Sequence, residues 1–194
     1  MFSFAFLFTA ISLGVGLAMD AFSVSLANGM NEPCMKKGRM GAVAGVFALF
    51  QFAMPLIGWV CVSTIAQKFT AFQTFIPWIA LVLLCYIGGK MLIEGIQNKD
   101  EDPCEKPAAG LVALLIQGVA TSIDALSVGF TISDYNLKEA LVSCLLIGVV
   151  TFFICFAGIA IGKKAGTKLA GKAGILGGVI LIAIGLEIFI TSWF

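Results

Sequence analysis

The chain alternates long apolar stretches with short polar ones. Apolar runs occupy roughly residues 3–29, 40–65, 73–97, 109–132, 138–162 and 172–194, and each is long enough to cross a bilayer as an α-helix, which takes about 20 residues. Pro33 falls between the first two runs. Pro103 and Pro107 punctuate a central segment, 98–108, where Lys99, Asp100, Glu101, Asp102, Glu105 and Lys106 cluster. Pro77 stands in the first turns of the third run, a tolerated place, whereas Pro55 lies well inside the second and predicts a kink there. The expected fold class is therefore all-α integral membrane, with six transmembrane helices.

Composition agrees with the pattern. The chain is 60% hydrophobic and 12% charged, against about 25% charged residues in soluble domains. Six spans use most of the 194 residues, leaving no room for a large extramembrane domain. A net charge of +1 and the lack of a basic patch with interleaved aromatics give no sign of a nucleic-acid partner. The first Lys or Arg is Lys36, so the opening run lacks the basic flank of a cleaved signal peptide and is expected to be a permanent span. Loops 30–39, 98–108 and 163–172 hold nine Lys and Arg residues, and the alternate loops hold only Lys68 and Lys138. The positive-inside rule then predicts those three loops cytoplasmic and both termini outside.

Two segments nearly repeat each other at an offset of 104 residues: Ala18-Met19-Asp20-Ala21-Phe22-Ser23-Val24-Ser25 and Ser122-Ile123-Asp124-Ala125-Leu126-Ser127-Val128-Gly129. Gly58 and Gly162 share the offset, and Glu94 and Glu187 lie close to equivalent places once a small gap is allowed. Aspartate-bearing span one thus matches span four, and the repeating unit holds three spans. An odd number of crossings makes the second copy enter from the opposite side, giving two inverted repeats. The expected organisation is a first repeat over 1–97, a charged cytoplasmic linker over 98–108, and a second, inverted repeat over 109–194.

A carboxylate at membrane depth costs about 2.5–3.5 kcal/mol on insertion scales and marks a functional site by default. The bland alternative, an aspartate holding two helices together, loses weight when the setting is duplicated. Around Asp20 the same face carries Gly16, Ser23 and Ala27, with Asn28 at the end of the span. Around Asp124 it carries Gln117, Ala120, Thr121, Ser127 and Thr131. These donors are oxygens, and histidine is absent from the chain, which weakens zinc, copper and nickel and favours magnesium, calcium or manganese. The candidate metal ligands are Asp20, Asp124, Ser23, Ser127, Thr121, Asn28 and Glu187, the last nearer its span's outer end. A divalent cation neutralises two aspartates, and exchange of metal for protons is a hypothesis this pairing carries.

Other features carry less. Lys90 and Glu94 stand at i, i+4 and read as a pair or as snorkelling groups. Gln51 is a pathway candidate, although a lone polar residue is often helix glue. Small-xxx-small pairs such as Gly158 and Gly162 read as close helix packing. Gly88-Gly89-Lys90 lacks the rest of a phosphate loop, so no ATP hydrolysis and no cofactor are expected. Cys34 and Cys104 each follow an acid and a proline in loops placed in the cytoplasm, where thiols stay reduced. They read as incidental rather than as a metal trap at the inner mouth. A membrane thiol-electron carrier would need cysteines in spans one and four, and neither has one.

The two aspartate segments, Gly16-Leu17-Ala18-Met19-Asp20-Ala21-Phe22 and Ala120-Thr121-Ser122-Ile123-Asp124-Ala125, resemble the MntP family of small bacterial manganese exporters, grouped with the lysine exporter superfamily of inverted three-helix repeats. The resemblance spans essentially the whole chain. It implies a non-enzymatic exporter of manganese(II) across the plasma membrane, with Asp20 and Asp124 essential. Ser25 and Gly129 occupy equivalent places, so the site need not be symmetric. Competing readings are an exporter of a small organic cation such as a basic amino acid, for which no intramembrane Arg offers a carboxylate partner, and a non-transporting membrane subunit.

Overall fold

The structure is a computed structural model that describes residues 4–65, 76–97, 110–169 and 173–191. Among these described residues every regular element is an α-helix: α1 (Phe4–Asn31), α2 (Lys37–Ile65), α3 (Ile76–Gln97), α4 (Leu111–Ala120), α5 (Ile123–Thr131), α6 (Leu137–Leu169) and α7 (Ala173–Thr191). Helices satisfy their own backbone groups, the requirement for crossing hydrocarbon. Four stretches among the described residues are long and apolar enough to do so: Phe6–Asn31, Lys37–Cys61, Leu111–Thr131 and Leu137–Thr167. The multi-pass membrane protein expected from the apolar pattern is thus supported. The linker 98–108, Lys68 and Lys172 lie outside the described residues, as does the Glu94 side chain.

Two expectations about helix extent change. Span four, read as one helix over 109–132, is interrupted between α4 and α5 at Thr121 and Ser122. Span five, read as ending at residue 162 before a loop 163–172, continues as α6 to Leu169. Lysines are good helix formers, so Lys163 and Lys164 extend the helix past its apolar stretch rather than ending it. The helix α2 runs through Pro55 from Lys37 to Ile65.

Glycines set how the helices meet and show their relative directions. A side chain on Gly14 would touch Ile147 and Val150, one on Gly158 would meet Phe22, and one on Gly166 would meet Met30. Hence α1 and α6 run parallel. A side chain on Gly118 would strike Phe50, and one on Gly129 would strike the Pro55 carbonyl and Gly58, so α2 runs parallel to α4 and α5. Gly88 abuts Gly178 and Ile182, whereas Gly178 abuts Gly88 and Leu92; α3 and α7 are antiparallel. The tightest crossings are Gly162 on the Leu26 carbonyl beside Gly29, and Gly58 on the Leu126 carbonyl beside Gly129. With no hydrophobic effect between helices in lipid, such backbone contact supplies the association energy.

The buried side chains Phe47, Leu84, Ile147, Ile159 and Leu181 fill the centre. Packing along α1 is uneven. Phe4, Phe8, Ile11 and Val15 are exposed, whereas Ala21, Val24, Ala27 and Met30 are buried. At the C-terminal end of α1, Arg39 Nε donates to Glu32 Oε2 at 2.9 Å and Lys163 Nζ donates to the Met35 carbonyl. Cys34 is disulfide-bonded, which corrects the reduced thiol expected there. Compartment reasoning addresses whether a bond survives, not whether sulfurs meet in the fold.

Candidate metal site

Asp20 lies mid-way along α1, half-buried, one turn before the helix becomes fully packed. Asp124 occupies the first turn of α5, where the positive end of the helix dipole favours a carboxylate. Its Oδ1 accepts a hydrogen bond from the Ala125 N–H at 2.8 Å. The charge on Asp20 is felt at Asp124, and that of Glu187 on α7 is felt at Asp20.

The interruption that frees the start of α5 has a local chemical cause. Thr121 Oγ1 donates to the Gln117 carbonyl at 2.9 Å, and Ser122 Oγ donates to the Gly118 carbonyl at 2.6 Å. Adjacent hydroxyls bonding back to the preceding turn compete with the helical ladder and bend helices. Gln51 then holds the break open to the other half of the molecule. Its Nε2 donates to the Thr121 carbonyl and to the Leu17 carbonyl, each at 3.0 Å. Leu17 and Thr121 each stand three residues before a motif aspartate, and they are equivalent by the 104-residue offset.

A cavity of about 460 Å³ opens between the N-terminal half of α1 and α5, lined by Phe8, Thr9, Ser12, Leu13, Gly16, Leu17, Asp124 and Val128. Thr9, Ser12 and Gly16 form one stripe of α1 that Asp20 continues at helical spacing. Asp124 is solvent-accessible along this cavity rather than sealed in the core. Beyond the aspartates the interior closes: Asn28 Nδ2 donates to Gln117 Oε1 at 2.7 Å, both side chains fully enclosed.

The remaining sequence candidates divide. Thr121 is buried at the break and offers its carbonyl to Gln51. Ser23 is turned back on its own helix, its hydroxyl donating to the Met19 carbonyl at 3.1 Å. Ser127 is exposed on α5. Asn28 is bound to Gln117 on the closed side, and Glu187 is exposed on α7 beside Asp20. Among the described residues no three His, Cys, Asp or Glu side chains gather as a ready-made metal cage. A dication held here would have to complete its shell with neutral oxygens and water. Sequence reasoning missed Thr9 and Ser12; the signal was available as the continuation of the Gly16–Asp20 stripe toward the N-terminus.

A helical, multi-pass membrane protein with an aspartate bordering an open cavity between its helices has the form of a solute carrier. A family described as "Putative manganese efflux pump" matches residues 34–189, and this chain belongs to that family. A curated relative from Ruminiclostridium cellulolyticum, named "Putative manganese efflux pump MntP", is 41% identical over 187 residues, covering 95% of each chain. One of the same name from Methanobrevibacter smithii is 40% identical over 184 residues, covering 95% of this chain and 97% of its own. A Clostridium botulinum relative, "Putative manganese efflux pump MntP 2", is 42% identical over 195 residues. No solved structure matches the chain.

Proposed function

We propose that this chain is a secondary transporter that exports manganese(II) from the cytoplasm through a mid-membrane site built on Asp20 and Asp124. The observation that carries the reading is an open cavity lined by Asp124 of one sequence repeat and by the α1 stripe that leads to Asp20 of the other, whose charge is felt at Asp124. The relatives' printed names supply the metal and the direction. Hard oxygen ligands suit manganese, and the described site offers no thiolate or imidazole.

The six helices are arranged as two inverted three-helix repeats. The directions support this: α1 is parallel to α6, α2 is parallel to α4 and α5, and α3 is antiparallel to α7. Since a five-residue loop, 32–36, turns the chain from α1 into α2, the two aspartate helices run in opposite senses. Gly58 and Gly162, equivalent by the 104-residue offset, each press on an aspartate-bearing helix of the other repeat, beside Gly129 and Gly29 respectively.

With the termini outside, as the loop charges indicate, the cavity faces outward. The inner side is closed by Asn28 and Gln117, by the glycine crossing of α1 and α6, and by Lys163 on the Met35 carbonyl. This arrangement is an outward-open state, from which metal leaves past Ser12 and Thr9. In this outward-open state protons replace the departing metal on the carboxylates; the return to the inward-facing state carries them to the cytoplasm, where the next metal ion displaces them, and the cycle is a metal–proton exchange.

The test is manganese flux in proteoliposomes containing purified protein. Wild type is expected to move Mn²⁺ and to respond to an imposed pH gradient. Asp20→Ala and Asp124→Ala are expected to abolish flux while inserting normally. Flux of lysine without metal flux overturns the substrate; flux indifferent to the pH gradient overturns the exchange; loss of membrane insertion in both variants assigns the aspartates to scaffolding instead.

A further inference from the structure

Two carboxylates leave a manganese ion short of its usual six oxygens, and most hydroxyls and amides near the site are already occupied within the protein. Ser23 bonds Met19, Thr121 bonds Gln117, and Asn28 bonds Gln117. Gln51 is different. Its side chain is fully buried. Its amide nitrogen spends both hydrogens on the Leu17 and Thr121 carbonyls, which fixes which end of the amide is which. Its amide oxygen is buried and accepts no hydrogen bond.

An unmatched buried acceptor is costly and calls for a partner. Its place in the fold says what kind. Helical carbonyls point along the axis toward the next turn, so the Leu17 carbonyl points toward the turn bearing Asp20. The Thr121 carbonyl lies at the break immediately ahead of Asp124. The Gln51 head group therefore sits at the level of both aspartates, tied to both aspartate helices at once.

We propose that the Gln51 amide oxygen is a neutral ligand to the transported dication, delivered to the site by the two carbonyls that hold its nitrogen. This rests on the aspartate site proposed above and adds a ligand to it. It also gives the metal a link between halves: an ion bound to Asp20, Asp124 and Gln51 joins α1, α5 and α2, so occupancy and the relative position of the repeats become coupled. Amide oxygen prefers hard cations, and it adds no charge, leaving the two aspartates to balance the metal.

The test is Mn²⁺ affinity of the detergent-purified full chain, read from the six-line electron paramagnetic resonance signal of free Mn²⁺. Asp124→Asn serves as the reference for the parent site. Gln51→Leu removes the oxygen and is expected to weaken binding about tenfold, the scale of losing one supporting group at a metal site. Gln51→Asn keeps the amide but withdraws its oxygen by one methylene, and is expected to weaken binding by a similar factor. A Gln51 that only holds the two carbonyls would leave the metal affinity of folded Gln51→Asn protein unchanged. Should Gln51→Leu fail to fold, Gln51→Asn decides alone: affinity equal to wild type overturns the ligand. Unchanged affinity in Gln51→Leu also overturns it, leaving water as the oxygen's partner. If Asp124→Asn binds Mn²⁺ like wild type, the failure lies with the aspartate site rather than with Gln51.

Discussion

α1 and the α4–α5 pair carry the same aspartate motif but only one of them stays a continuous helix. Where α1 has Leu17-Ala18 ahead of Asp20, the second copy has Thr121-Ser122 ahead of Asp124. The two hydroxyls turn back onto the preceding carbonyls, and the ladder fails there. Asp20 thus projects from a rigid rod, whereas Asp124 sits at a helix start with a backbone N–H on its own carboxylate. Two copies of one motif carry the acids, and the difference of two neighbouring residues gives them unequal settings. Discontinuous helices are the usual place for coupling-ion chemistry in transporters, and of the two aspartate-bearing stretches only the second is discontinuous.

The contrast can be broken most severely at the glycine crossings. Gly129→Leu drives a side chain into the Pro55 carbonyl and Gly58, and Gly162→Leu does the same against Leu26 and Gly29. Each is expected to cost about 3 kcal/mol or more, read as loss of folded protein in a detergent thermal-unfolding assay. Unequal losses would show that one half packs more loosely than the other.

Converting the second copy toward the first is the sharper test. Thr121→Leu with Ser122→Ala removes both back-bonding hydroxyls and restores the α1 sequence at these places. Hydroxyl bonds of this kind contribute about 1 kcal/mol each, so the protein should fold. Manganese flux is expected to fall at least tenfold, roughly the scale of losing one transition-state interaction. Full flux would show that the break is incidental.

Smaller effects should follow at the periphery. Ser23→Ala deletes a bond confined to one helix and is expected to change stability by less than about 0.5 kcal/mol with flux retained; a large loss of flux would restore Ser23 as a ligand. Arg39→Ala removes a partly exposed ion pair to Glu32, worth at most about 1 kcal/mol, measured as a shift in unfolding midpoint that shrinks with added salt.

Much of this was legible in the sequence because its causes are local or periodic. Apolar runs of span length mark helices whatever their neighbours do, and Asp20 and Asp124 stand out because burial in hydrocarbon is expensive. The break at Thr121–Ser122 was not legible, since Thr121 reads as a ligand on a continuous face and Ser122 as an ordinary member of the repeated motif. What decides is competition between side-chain and backbone hydrogen bonds, reinforced from α2 by Gln51, a partner 70 residues away. Gln51 itself reads as generic helix glue until its two acceptors are known to precede the two aspartates. The extension of α6 through Lys163 and Lys164 was misjudged because charge marks the membrane boundary, not the helix end. The cavity along Thr9 and Ser12 depends on α5 lying beside α1, a long-range fact that no periodicity carries.

The most direct test of the shared site is the stoichiometry of Mn²⁺ bound to purified protein, measured by equilibrium dialysis for wild type, Asp20→Asn and Asp124→Asn. One ion per chain in the wild type, lost in either single variant, is the predicted result. Two independent ions, each removed by only one of the substitutions, would contradict a site held in common by the opposed halves.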